Sequence, residues 1–170
     1  MLGFLFRGLT ADRPSGEALF DVLTAEARRP HWFVEGQVPD TLDGRFAVLA
    51  TVVALVLVRL EGEGEAGDRA SVALTERFIH VMESEHRELG LGDPTLGKTV
   101  RKLVGMLARR AELWRVACGG SEDWFETARQ SLYTNGVDAA ALSHSGEALK
   151  QLGSRIDAAP LAQLQRGEIG

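Results

Sequence analysis

The stretch from Val38 to Leu60, VPDTLDGRFAVLATVVALVLVRL, constrains the chain more than any other. From Phe46 to Val58 it is apolar except for Thr51, so it offers no side that water can cover. Such a segment needs neighbours on most of its faces. It falls short of the roughly 20 residues that span a bilayer, and Arg59 and Glu61 close it. Val52, Val53, Val56 and Val58 are β-branched and would suit a buried strand. The run is longer than an ordinary strand, which favours a buried helix from about Thr41 to Leu60. Asp40 is placed to cap that helix, and Asp43 lies close to its positive end.

The remaining sequence predicts helices able to supply the cover. One runs from Ser15 to Arg29, with Asp12 or Ser15 as cap, Pro14 in the first turn and Pro30 as terminator. Residues 31–38 form an irregular link whose aromatic residues turn inward. Residues 61–70, rich in glutamate and glycine, read as a flexible acidic loop. A helix from about Ser71 to Leu89 carries Leu74, Phe78, Val81, Met82 and Leu89 on one side, with Glu85 among them. Asp93 and Pro94 begin another, with a core stripe through Leu96, Val100, Leu103, Leu107, Ala111 and Trp114. Ser121 starts a shorter helix, a further one covers Asp138 to Leu152, and residues 153–170 make a weakly packed tail. Near the N-terminus, Leu2, Phe4, Leu5 and Phe6 read as core-docking, with peripheral membrane attachment as the alternative; no signal peptide is evident. The expected fold is all-α: a single compact domain over residues 1–170, with five or six main helices around the buried central one.

The chemistry-bearing residues do not converge on a reaction. Lys and Arg number 19 against 24 Asp and Glu, a net charge of -5, so no overall pull toward DNA exists. Cys118 is the lone cysteine, which excludes an intrachain disulfide and a multi-cysteine metal site. His80 and His86 lack the four-residue spacing of a zinc helix. No nucleophile elbow or dinucleotide fingerprint occurs. The expectation is therefore no enzyme, no metal and no cofactor. Trp32, Trp114, Trp124 and Tyr133 read as core or interface anchors.

Two polar groups stand out instead. Asp40, Asp43 and Arg45 sit at one helix start, and Arg87, Glu88 and Asp93 sit at the next corner. They either lock helix starts together through arginine–carboxylate pairs or form a partner-recognition surface. Lys98, Arg101, Lys102, Arg109 and Arg110 crowd one predicted helix, either as a solvated face or as a basic contact face.

Two strings, VPDTLDGRF at 38–46 and REL-GLGD at 87–93, together with their spacing, resemble the ubiquinol-cytochrome c chaperone family. The likeness covers about Leu19 to Asn135. Its DGR triplet falls on Asp43, Gly44 and Arg45, and its phenylalanine on Phe46. Ala47 and Val52 stand where the family pattern commonly has an acid and a histidine.

The resemblance implies a non-enzymatic, all-helical assembly chaperone. It would bind an apolar segment of a respiratory-chain membrane protein such as cytochrome b of the bc1 complex. A small helical partner, a ribosome contact and peripheral membrane association also follow from the resemblance. So does a cytoplasmic location at the inner face of the inner membrane. The competing reading is a generic helical interaction or oligomerisation domain with no respiratory client.

Overall fold

The computed structural model of the chain describes residues 16–90 and 92–170, without the side chain of residue 93. The expected docking of Leu2, Phe4, Leu5 and Phe6 lies outside the described residues. The expected capping by Asp12 or Ser15 and the Pro14 first turn lie outside them too. The elements are α1 (Glu17–Ala27), α2 (Leu42–Leu60), α3 (Gly64–Glu88), α4 (Asp93–Cys118), α5 (Trp124–Leu132), α6 (Ala139–Ala158) and the one-turn α7 (Leu161–Gln165). Short 3-10 turns occupy Pro30–Trp32 and Glu61–Glu63. Among the described residues the fold is all-helical, with six main helices.

The apolar run is the hub. Every residue from Phe46 to Val56 is buried, and α2 packs against α1, α3, α4, α5 and α6, most extensively along α4. Burial on all sides overrides the modest helix propensity of its valines. Thr51 is fully buried without penalty because its hydroxyl donates to the Ala47 carbonyl at 2.7 Å. α2 begins at Leu42 rather than one residue earlier, and its cap is Thr41, whose Oγ1 accepts from Gly44 N at 3.2 Å. The expected cap, Asp40, is drawn to Arg45 instead.

Two expectations are overturned. The acidic stretch 61–70 is not a loop: a 3-10 turn is followed by the first two turns of α3. The break between α2 and α3 is concentrated at Gly64, whose φ of 59° is a conformation that favours glycine. The acids find local and distant partners. Glu61 accepts a forked pair from Arg115, Glu63 pairs with Arg59, and Glu65 pairs with Arg69 at 2.6 Å. The tail 153–170 is not weakly packed either. α6 continues to Ala158, and Ile156, Leu164 and Ile169 are buried in the core, with α7 against α1.

The cap of α5 is Asp123, not Ser121, and the cap of α6 is Asp138; each accepts from a backbone N–H three residues on. Gly92 occupies the cap position of α4, with Asp93 as the first helical residue. The link between α1 and α2 is pinned from several directions. Trp32, fully buried, donates Nε1–H to the Glu26 carbonyl at 3.0 Å. Tyr133 donates its hydroxyl to the Gly36 carbonyl at 2.5 Å, and Gln37 donates to Asp138 at 2.7 Å.

His31 completes this anchorage. Its Nδ1 lies 3.1 Å from Nε2 of His144 on α6, so one ring must donate and the other accept. Glu26, buried on α1, lies 3.9 Å from the other His31 nitrogen and also draws in Arg29 and Arg155. Burial, then Arg29 and His144, hold the His31 pKa below its ordinary 6.5, against the opposing pull of Glu26 and Glu35. Because that value is depressed in the folded state, the unfolded chain takes the proton first as pH falls. Stability is therefore expected to be full above about pH 6.5 and to decline as the pH drops through the folded value. Denaturant unfolding at pH 7.5 and pH 5.5 checks this, and His31→Ala should flatten the difference.

Candidate functional site

An apolar groove of about 510 Å³ opens among α1, the start of α2, the end of α3 and α4. Its apolar wall comes from Phe20, Leu42, Phe46, Leu49, Val81, Met82, Leu89 and Leu103. These are the inward or half-inward positions of four amphipathic helices, and the groove lies where the helices diverge. Two leucines stay open to solvent at its edge: Leu42 is 53% exposed and Leu89 63%. Leu42 and Leu89 thereby extend the apolar surface of the groove out to its edge.

Beneath the wall, Phe78 is fully buried, with its ring 6.5 Å from Phe20 and 5.9 Å from Phe46. Arg110 backs the same aromatic group, its guanidinium 5.8 Å from the Phe46 ring centre. Arg110 also donates to the Ser131 carbonyl, at 2.9 and 3.2 Å, and to the Met106 carbonyl at 3.2 Å. It thereby satisfies the Ser131 carbonyl at the end of α5, where the helix dipole is negative. Burial pulls its pKa below the ordinary arginine value. Arg110 therefore does not belong with an outward basic face. Lys98, Arg101, Lys102 and Arg109 do, and all four are exposed on α4.

The two polar corners both reach the groove but do not bond to each other. Asp43 and Arg45 line it from α2, and Glu88 lines it from α3. Arg45 pairs with Asp40 at 2.7 Å, within its own corner. That bond holds the Asp40 carboxyl below its usual range. Arg87 is exposed and forms no ion pair among the described residues. No bridge between the corners occurs among those residues. Among the described residues, Arg45 and Arg87 therefore do not join the two corners.

With 64% of Arg45 and 57% of Asp40 exposed, water screens their pair. Arg45→Ala is therefore expected to leave the denaturant midpoint nearly unchanged. A large fall in that midpoint would restore the lock.

Residues that sequence reasoning left aside also shape the region. Glu85 and His86 line the groove beside Glu88, and Arg28 lines it from the end of α1. Only the odd placement of Glu85 on an apolar helix face signalled this. No group of three or more metal-ligating side chains occurs among the described residues. Among them, too, no helix is long and apolar enough to cross a membrane. Burial and nearby Asp157 push the Cys118 thiol up, opposite to the direction that activates a nucleophile.

An apolar groove with charged edges, carried on helices, defines a surface suited to holding another protein's apolar segment. The chain belongs to the ubiquinol-cytochrome C chaperone family. The family model described as ubiquinol-cytochrome C chaperone matches residues 34–168, most of the chain. The fold is shared with the crystal structure of the Cbp3 homolog from Brucella abortus, at a TM-score of 0.77 and 24% identity. That likeness covers 100% of this chain and 96% of the other. No curated protein matches.

Proposed function

We propose that this protein is a non-enzymatic assembly factor that covers an apolar segment of a respiratory-chain membrane protein until that protein is assembled. The observation that carries the reading is the groove with exposed Leu42 and Leu89, in a member of a chaperone family. Burying such leucines against a client's apolar side chains yields the main affinity, at about 25 cal/mol per Å² before the costs of association. Charges at the rim orient the client more than they hold it. The family's description points to the bc1 complex, and cytochrome b is the client proposed. The site of action proposed is the cytoplasmic face of the inner membrane.

Genetic replacement tests this. Cells lacking the protein should assemble less bc1 complex, the wild-type chain should restore it, and a Leu42→Asp, Leu89→Asp chain should not. Both positions are exposed, so the variant should remain folded, as circular dichroism can verify. Normal bc1 levels in cells lacking the protein would contradict the proposed client. Concentration-dependent dimers that the same two substitutions abolish would favour an oligomerisation domain instead.

A further inference from the structure

The groove carries an imbalance of charge that its apolar wall does not explain. Three carboxylates stand at its rim: Asp43 in the first turn of α2, and Glu85 and Glu88 near the end of α3. None of the three lies within ion-pair distance of a cation among the described residues. The cations nearby do not cancel them. Arg45 is occupied by Asp40, which leaves Arg28 as the remaining arginine of the lining. His86 directs Nδ1 at the Met82 carbonyl at 2.7 Å, a bond in which the imidazole donates. Asp43 gains something from the positive end of α2, but Glu85 and Glu88 sit at the negative end of α3, where a helix disfavours acids. Acids in that position, with no cationic partner among the described residues, favour a positive charge brought by an occupant of the groove.

The shape narrows the occupant further. Addition of a peptide as a further strand is not open to this fold, because no strand exists among the described residues. A helix satisfies its own backbone and can offer side chains to the apolar wall. We infer that the groove takes an apolar helix flanked by lysine or arginine, with the flanking cations meeting Asp43, Glu85 and Glu88. This rests on the groove being the client site. The cytoplasmic ends of transmembrane helices carry this chemistry, an apolar stretch followed by basic residues. Specificity then comes partly from rejection, because an acid-flanked helix meets like charge at the same rim.

Fluorescence anisotropy on the full chain tests the inference, using three labelled helical peptides with one apolar core and Lys, Ser or Glu flanks. The Lys-flanked peptide should bind on the order of tenfold tighter than the Glu-flanked one at low salt, with the gap closing as salt rises. Glu85→Lys combined with Glu88→Lys should reverse the order. Equal binding of the Lys- and Glu-flanked peptides would overturn the charge selection while leaving the groove as the client site. Failure of all three to bind, or binding indifferent to Leu89→Asp, would overturn both.

Discussion

Gly44→Ala is expected to destabilise the protein by about 3 kcal/mol, at the upper end for overpacking. The direction is informative, because an ordinary glycine inside a helix gains about 1 kcal/mol on becoming alanine. Here a methyl group would drive into the Pro39 carbonyl oxygen and lie 2.9 Å from its carbon. The obstacle is backbone, and that backbone has nowhere to go. Val38 is 2% exposed, and its N–H is bonded to the Trp32 carbonyl at 3.0 Å. On the other side, Thr41 is engaged as the cap of α2. Thermal or denaturant unfolding measures the loss, and a stabilised or unchanged variant would show that the entry to α2 is looser than described. The contrast with Arg45→Ala, one residue on, makes the pair diagnostic: glycine is required by close approach, and the arginine beside it is a surface group.

Phe78→Ala is the second large effect, with an expected loss of about 3–5 kcal/mol, the range for removing a buried aromatic ring. Phe78 is fully buried and touches Phe20 and Phe46, two residues of the groove wall. Its removal leaves a void directly behind the proposed binding surface. The variant should therefore show lower stability, and weaker capture of an apolar peptide even where it remains folded. Unfolding in urea and anisotropy with the Lys-flanked peptide read the two effects separately. Stability lost with unchanged peptide affinity would detach the aromatic cluster from the site.

The central helix was legible because its apolar run leaves no choice of face: a segment greasy on all sides must be enclosed. The other helices were legible from their periodicity, and their ends only approximately. Capping by Asp40 failed because a carboxylate near an arginine has a competing partner, and Thr41 was free to take its place. The stretch 61–70 misled for a related reason. Its glycines and acids suggest solvation, yet three of its four acids are claimed, by Arg59 on α2, Arg69 on α3 and Arg115 on α4.

Long-range pairings lie beyond local pattern. Nothing near Arg110 indicates that it will face the Ser131 carbonyl, and nothing near His31 announces His144. The groove was partly foreshadowed by the polar corners. What the sequence could not supply was the convergence of α1, α2, α3 and α4 that brings Asp43, Glu85 and Glu88 to one rim.

Site-specific photo-crosslinking in the source cell tests the central claim most directly. A photoreactive residue at Leu89, in the groove, is compared with one at Val72, which is 57% exposed and does not line the groove. The account predicts that the Leu89 probe captures a bc1 membrane subunit, cytochrome b first among them, through an apolar helix bordered by basic residues, and that the Val72 probe does not. Equal capture from both positions, or no membrane-protein adduct from Leu89, would contradict it.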